Sequence, residues 1–214
     1  WDTPEGLGRN NADWCHYQRF LYRVNHFNLL FGDDWFEIAS KNSKQLDECL
    51  AIKERSKNND EEGGLILNVP DKNDHGTPKP GSRKDEAWLE IEFGSQGKIG
   101  YLQLAEKYRL RSINRQLPVG LFESKKSRYS RIFTGGSSAI DLVGIGKDES
   151  LWIFELKKKG NHSLGIISEL MFYAACMRDL RRGAFRLFDK PAGKRWVGDI
   201  NDIAVDRKVN AVFL

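Results

Sequence analysis

The alternation of apolar and charged positions is clearest in two short runs in the second half of the chain. Residues 140–143 read IDLV, residues 152–157 read WIFELK, and glycines with polar residues separate them. β-prone runs bounded by such a turn predict a hairpin of two strands. Because side chains alternate along a strand, Glu155 and Lys157 are expected on one face, about 6–7 Å apart. Pairing of the strands would bring Asp141 to the same edge.

Helical periodicity indicates further elements on both sides of this hairpin. Helices are predicted at residues 44–55, 99–116 and 163–182. The last of these is apolar around most of its girth, which is typical of a helix buried against a sheet. Residues 87–93 fit either a helix or a strand. Short extended runs are expected at residues 119–122, 131–133, 186–188 and 210–214.

A polar stretch with several prolines and glycines, residues 70–83, is the best candidate for a boundary or an insertion. We therefore expect an N-terminal accessory region of α+β type and unknown role at residues 1–84. The remainder, residues 85–214, is expected to form the core. Its order of helix, strands, helix and strand predicts an α/β protein with a central mixed β-sheet flanked by helices.

Charge is unevenly distributed along this chain of 214 residues. Residues 101–214 carry 21 Lys and Arg against 12 Asp and Glu, whereas the first hundred residues have an acidic excess of five. A basic half suits a polyanionic partner such as nucleic acid, although a lysine-rich solvated surface gives the same count. No apolar run reaches the roughly 20 residues that cross a bilayer. Cysteines without paired spacing favour reduced thiols in a cytoplasm: Cys15, Cys49 and Cys176.

The charged residues of the predicted hairpin are of the types that surround a catalytic metal ion. A hard cation prefers oxygen ligands, and Asp141 and Glu155 supply two carboxylates. A metal held there lowers the pKa of bound water and neutralises charge on a scissile phosphate. Lys157 supplies a positive charge that can orient the water and stabilise the transition state. The alternative is that these residues face water at strand ends, with Glu155 and Lys157 as a surface ion pair.

Residues 139–177 resemble the core of the PD-(D/E)xK nuclease superfamily, which has the restriction-endonuclease-like fold. In that family an acidic residue ends one strand of a hairpin and a Glu-x-Lys lies on the next. Here these positions are Asp141, Glu155 and Lys157, although Ile140 stands where the family name has Pro. Many members carry a further polar residue on the following helix, with Tyr-Ala four places later. Glu169 followed by Tyr173-Ala174 is similar to that pattern.

The resemblance implies a nuclease that hydrolyses phosphodiester bonds with Mg²⁺, or Mn²⁺ as a substitute, and with DNA as the favoured substrate. It implies catalytic roles for Asp141, Glu155, Lys157 and Glu169, with Asp141 and Glu155 as metal ligands. The family usually adds an acid from the first helix of the core, for which Glu106 is the natural candidate, ahead of Glu90 and Glu123. Candidate contacts to nucleic acid are Arg115, Gln116, Ser137, Ser138, Lys158, Lys159 and Tyr173.

Two other functions stay open at this point. The same fold can serve as an inactive module that binds nucleic acid or a partner protein, and a different metal hydrolase on an α/β scaffold is a third reading. Residues 1–84 could form a homodimer contact or a surface for a partner protein. For Glu169 the alternative is a salt bridge to Lys157 or to another basic residue. The strand form and sequence preference of a nucleic acid substrate stay open.

Overall fold

The computed structural model of the protein describes residues 12–32, 65–67, 86–125, 127, 129–133, 139–157, 165–187, 200, 203 and 206–214. Helices in these ranges are α1 (Ala12–Phe31), α2 (Glu86–Gly94), α3 (Ile99–Lys107) and α4 (Gly165–Arg181). The strands are β1 (Leu65–Leu67), β2 (Leu110–Pro118), β3 (Leu121–Glu123), β4 (Arg131–Phe133), β5 (Ala139–Gly146), β6 (Leu151–Glu155), β7 (Arg186–Leu187) and β8 (Val209–Phe213).

The strands form two sheets, and both are mixed. The first has the order β4-β3-β1-β7, in which only the β1–β7 pair is parallel. The second has the order β2-β5-β6-β8, in which β2, β5 and β6 are antiparallel neighbours and β8 joins β6 in parallel. Helices pack against this second sheet, which confirms the predicted α/β class.

The predicted hairpin is present as β5 and β6. The pairs Leu142–Phe154 and Val143–Ile153 fix its antiparallel register, and the turn at its end lies after Gly146. A Cβ atom at Gly146 would overlap the Asp148 carboxylate and the Ser150 hydroxyl, so a larger residue there would displace these two side chains.

Side chains of the hairpin alternate between two hydrophobic clusters, as expected for a sheet covered on both faces. Val143 and Ile153 belong to a cluster with Phe172 of α4. Leu142 and Phe154 belong to a second cluster, which contains Leu104 and Leu110 and is packed by α2 and α3. The face that carries Ile153 is therefore the face on which α4 lies.

The helix predicted at residues 99–116 is wrong in its second half. Helix α3 ends at Lys107, Arg109 has a positive φ of 53°, and β2 begins at Leu110. From Leu110 onward the chain pairs with β5 along nearly its whole length. Those long-range hydrogen bonds outweigh the local helical preference of a segment whose apolar positions fit both periods. Arg115 and Gln116 consequently lie on a strand rather than at a helix end.

Other expectations fare better. Residues 87–93 are helical within α2, and the predicted helix 163–182 is α4. The short runs at residues 119–122, 131–133, 186–188 and 210–214 overlap β3, β4, β7 and β8. The predicted helix at residues 44–55 lies outside the described residues. In the described ranges, no helix combines the length and apolarity that crossing a bilayer requires. Cys15 and Cys176 are buried, and Cys49 lies outside the described residues.

Residues from the predicted accessory region contribute to the main core. Strand β1 lies between β3 and β7, and α1 packs on α4 and β4. Tyr22 of α1 and Leu65 of β1 are buried in the same cluster as Phe172. The division at residue 84 and a partner surface in residues 1–84 stay predictions, but α1 and β1 do pack with the proposed core.

Candidate functional site

The hairpin brings Asp141 and Glu155 to one level of the sheet. Continuing the β5–β6 register one step beyond the pair Leu142–Phe154 sets Asp141 opposite Glu155, the last residue of β6. The backbone N–H of Leu156 donates a hydrogen bond to Asp141 Oδ2 at 2.9 Å. This bond joins the carboxylate of β5 to the end of β6. The sequence prediction that these two acids meet at one sheet edge is thus matched by their positions.

Glu155 is a buried carboxylate with only one of its oxygens engaged. Its side chain lies on the α4 face of the sheet, and its Oε1 accepts a hydrogen bond from Lys157 Nζ at 2.6 Å. Its Oε2 is buried and has no hydrogen-bond partner among the described residues. Because a buried polar atom without a partner is costly, this oxygen is suited to a ligand that supplies positive charge or a proton.

Burial disfavours the charged forms of both acids. Desolvation raises the pKa of Asp141 to about 6, against the hydrogen bond from Leu156 and the charge of Lys157, and nearby Glu90 and Glu86 raise it further. Desolvation, followed by the charge of Asp141, raises the pKa of Glu155 to about 7, although Lys157 opposes the shift. A pair of carboxylates that resists ionisation near neutral pH is typical of functional sites and of cation sites in particular.

Lys157 is held as a cation beside this pair. Its backbone N–H donates to the Leu214 carbonyl at 3.0 Å, and the Leu214 N–H donates to the Glu155 carbonyl at 3.0 Å, which fixes the segment on β8. Burial works against the charged ammonium, but the hydrogen bond and charge of Glu155, with Glu169 and Asp141, outweigh it and raise the pKa of Lys157. Lys157 therefore acts as a positive charge and a hydrogen-bond donor, and it is not suited to take up a proton.

Helix α4 adds Glu169 and Tyr173 to the site. Glu169 Oε2 lies 3.9 Å from Lys157 Nζ, and Glu169 Oε1 accepts a hydrogen bond from the Tyr173 hydroxyl at 3.1 Å. The four-residue spacing sets the two side chains on one helix face, as predicted. The salt-bridge alternative for Glu169 is compatible with this geometry, because the same contact that brings it to the site pairs it with Lys157.

Arg19 of α1 also reaches Glu169, and the sequence prediction missed it. Its guanidinium lies 3.6 Å from Glu169 Oε1 and 4.1 Å from the centre of the Phe172 ring. With only 11% of its side chain exposed, Arg19 is a semi-buried cation behind the site. The sequence shows Arg19 and Arg23 at helical spacing among aromatic residues, but it contains no signal that links residue 19 to residue 169.

Strand β2 pairs with β5 on the edge opposite β6, and it brings Gln116 to the level of Asp141. The pairs Arg115–Leu142 and Leu117–Ile140 flank that level. Gln116 has a positive φ of 54°, a conformation that costs free energy for a residue with a side chain and that is concentrated at functional sites. Its Nε2 donates to Glu90 Oε2 at 2.9 Å.

Of the three acids that the sequence suggested, Glu106, Glu90 and Glu123, Glu90 is the one whose charge acts on Asp141. Besides its bond to Gln116, its Oε1 lies 3.8 Å from Arg115, and its charge contributes to the raised pKa of Asp141. Glu106 is exposed near the end of α3. Glu123 ends β3 in the other sheet. The prediction named Glu106 first because it lies on the helix predicted at residues 99–116, although nothing in the sequence chooses between it and Glu90 or Glu123.

Four predicted contacts to nucleic acid lie outside the described residues: Ser137, Ser138, Lys158 and Lys159. Arg115 and Gln116 are described, and both lie on β2. Each contacts Glu90, whose charge acts on Asp141. Tyr173 is buried and bonds to Glu169, so its hydroxyl supports the site from behind.

The donor set fits a magnesium ion. Within the described ranges, no group of three His, Cys, Asp or Glu side chains could hold a metal ion. The protein ligands at this site would therefore be two carboxylates, those of Asp141 and Glu155. Mg²⁺ is commonly held by one or two protein carboxylates, with waters and substrate phosphates completing its shell. The unpaired Glu155 Oε2 and the raised carboxylate pKa values are the features that such an ion would satisfy.

Comparison of the chain with family models, with curated proteins and with solved structures found no match.

Proposed function

We propose that this protein is a metal-dependent nuclease of the PD-(D/E)xK type, with DNA as its substrate. The observation that carries the proposal is the Asp141–Glu155 pair on neighbouring strands, with Lys157 at 2.6 Å from Glu155. Two carboxylates, one of which has a buried oxygen with no partner among the described residues, and an adjacent ammonium are groups suited to metal-assisted hydrolysis.

The architecture supports a restriction-endonuclease-like fold. The family resemblance implies a mixed central sheet flanked by helices, with the acid and the Glu-x-Lys on a hairpin and a polar residue on the next helix. The second sheet, with α2 and α3 on one face and α4 on the other, is compatible with that arrangement. Glu169 of α4 lies beside Lys157 as that reading requires.

Each residue then has a distinct task. Asp141 and Glu155 would hold Mg²⁺, which supplies a water of lowered pKa and neutralises charge on the phosphate. Lys157, kept protonated by Glu155 and Glu169, would donate a hydrogen bond to the attacking water or to the phosphoryl oxygen. Glu169, fixed by Tyr173 and Arg19, would orient the Lys157 ammonium.

Positive charge around the pair suits a phosphodiester backbone. Arg115, which pairs with Leu142 of β5 and lies next to Glu90, has 38% of its side chain exposed and can contact a phosphate at this edge of the sheet. The basic excess of residues 101–214 acts in the same direction at longer range. The burial of Cys15 and Cys176 is compatible with action in a reducing cytoplasm.

Cleavage assays with end-labelled duplex, single-stranded and branched DNA and with RNA test the proposal, each with Mg²⁺, with Mn²⁺ and with EDTA. We expect metal-dependent cutting that falls by about 100-fold or more in Asp141→Asn and Lys157→Ala. Lys98→Ala, which removes an exposed lysine at the start of α3, is the matched control and should stay within about twofold of the wild type.

An inactive module that binds nucleic acid is the second candidate, and one observation favours it. A row of ion pairs balances the charges of the site, and a purely structural role would also produce it. The row runs from Glu155 through Lys157 and Glu169 to Arg19. Binding of the same substrates without cutting in any metal would select this function over the nuclease.

A further inference from the structure

A cavity lies at the far end of the second sheet, away from the carboxylate pair. Its volume is about 390 Å³, and its walls come from the α3–β2 turn, the β5–β6 turn and β6. Three cations line it, Lys107, Arg109 and Lys147, together with the aromatic rings of Tyr108 and Trp152.

The two turns that form the cavity are joined to each other. The backbone N–H of Lys147 donates to the Arg109 carbonyl at 2.9 Å, across the β2–β5 end. Arg109 has a left-handed backbone conformation, with a φ of 53°, where α3 stops and β2 starts. This hydrogen bond fixes the backbone from which the Arg109 and Lys147 side chains extend.

The aromatic wall is fixed as well. The Trp152 indole N–H donates to Ser150 Oγ at 2.8 Å, and that hydroxyl donates to Asp148 Oδ1 at 2.6 Å. The Tyr108 and Trp152 ring centres are 4.8 Å apart with an interplanar angle of 53°. This relay holds the indole in one orientation, so the rings present a preformed apolar surface.

The cavity is distinct from the carboxylate site. Trp152 pairs with Gly144, three positions along the strands from the level of Asp141 and Glu155, which corresponds to about 10 Å. Trp152 also packs on the α2–α3 side of the sheet, whereas Glu155 and Lys157 lie on the α4 side. A ligand in this cavity would not contact the carboxylate pair directly.

We infer that this cavity binds a nucleotide, with the base against Tyr108 and Trp152 and the phosphate between Lys107, Arg109 and Lys147. Three cations against the one carboxylate of Asp148 select an anion, and a phosphate accepts hydrogen bonds from all three. Flat aromatic walls favour a planar ring system, because bases stack on such side chains. The free acceptor capacity of the exposed Asp148 carboxylate suits a ribose hydroxyl or a base N–H.

The size of the cavity limits the ligand to about one nucleotide. Its volume is near the lower end of the roughly 300–1,000 Å³ that is usual for ligand pockets. The nucleotide could be free, or it could be one unit of a single-stranded nucleic acid. The inference does not depend on the proposed nuclease activity, because binding here involves neither Asp141 nor Glu155.

Isothermal titration calorimetry in EDTA tests the inference without cleavage of any ligand. The probes are the four ribonucleoside 5′-monophosphates, the corresponding nucleosides, inorganic phosphate, and a short oligothymidylate with or without a 5′-phosphate. We expect at least one monophosphate or the oligonucleotide to bind, and both its nucleoside and inorganic phosphate to bind at least about tenfold more weakly. Saturation by monophosphates identifies a free nucleotide as the ligand, and saturation by the oligonucleotide alone identifies nucleic acid.

Variants separate this cavity from the rest of the surface. Lys107→Ala combined with Lys147→Ala should weaken the binding by about tenfold or more, and Trp152→Leu should weaken it while keeping an apolar side chain in β6. Lys98→Ala, at the other end of the same helix as Lys107, is the control and should change it by less than about twofold. No binding of any probe at millimolar concentration, or equal binding in the double variant and the control, would overturn the inference.

Discussion

Asp141 lies beside Glu155 where β5 meets the end of β6: its carboxylate accepts a hydrogen bond from the Leu156 N–H at 2.9 Å, and its negative charge contributes to raising the pKa of Glu155 to about 7. The pair lies at the edge of an apolar core, where Val143 and Ile153 follow on the same sheet face. Like charges in such surroundings repel each other and lose hydration, so the hairpin holds them at a cost in stability. Function is the usual reason for a protein to retain such a cost.

The first prediction concerns the pH dependence of stability in EDTA. Because folding raises the pKa of both acids, the folded protein binds more protons than the unfolded chain between about pH 4 and pH 7. The stabilisation that comes from protonation of the two acids in the folded protein is fully present below their unfolded pKa values. It is lost as the pH rises through about 6 and 7. At about 1.4 kcal/mol for each unit of pKa, rises of about two units in each acid correspond to a fall in the free energy of unfolding on the order of 6 kcal/mol across this pH range.

Urea denaturation at a series of pH values between about 5 and 8 measures this slope. Glu155→Gln should flatten it and should make the protein more stable than the wild type at the upper end, because the amide removes a buried charge. Glu106→Gln, at an exposed site on α3, should leave the slope unchanged. An identical slope in the wild type and in Glu155→Gln would contradict the assignment of the slope to this pair.

The second prediction concerns metal binding. Mg²⁺ competes with protons for Asp141 and Glu155, so its affinity should decrease as the pH falls below about 7, and binding at pH 7 should release protons. Calorimetric titrations in two buffers of different ionisation enthalpy count those protons. We expect Asp141→Asn to weaken Mg²⁺ binding by about tenfold or more and Glu106→Gln to leave it unchanged. Equal heats in the two buffers would argue against metal binding at the carboxylate pair.

The third prediction compares the two acids that the sequence offered on the helices before β2. Glu90 bonds to Gln116 and acts on the pKa of Asp141, whereas Glu106 is exposed. We expect Glu90→Gln to lower cleavage by about tenfold or more, since it alters the residues around Asp141, while Glu106→Gln keeps wild-type activity. The same two variants in the cleavage assay provide the measurement. Equal activity of both would show that Glu90 only supports the fold.

The hairpin and α4 could be predicted from the sequence because their signals are local. An apolar run with one charge at every second position defines both a strand and its buried face, so Glu155 and Lys157 were placed together correctly. Glu169 and Tyr173 follow from helical spacing in the same way. These parts of the site needed no knowledge of distant residues.

The remaining parts depend on pairing across the chain. Whether residues 110–118 form a helix or a strand is decided by β5, and the hydrogen bond between Gln116 and Glu90 depends on where that strand lies. Arg19 reaches Glu169 only because α1 packs on α4. Local periodicity contains no information on either contact, so neither could have been predicted from it.

The fourth prediction tests the contact that holds α1 in that position. Asp179 of α4 is buried, and its Oδ2 accepts a hydrogen bond from the Tyr22 hydroxyl at 2.9 Å and lies 3.0 Å from His26 Nε2. Asp179→Ala leaves both ring groups of α1 buried without this partner, which should lower the free energy of unfolding by about 3 kcal/mol. The matched change Asp206→Ala, at an exposed aspartate, should alter it by less than about 0.5 kcal/mol.

Urea denaturation of both variants measures the change in the free energy of unfolding, and cleavage activity at the same urea concentrations provides a second readout. Because the Tyr22–Asp179 contact lies on the same pair of helices as the Arg19–Glu169 ion pair, loosening α1 removes the cation behind Glu169. We therefore expect Asp179→Ala to lose cleavage activity at urea concentrations where it is still folded, and Asp206→Ala to lose activity only when it unfolds. Loss of activity that coincides with global unfolding in both variants would limit α1 to a structural role, with no influence on Lys157 through Glu169.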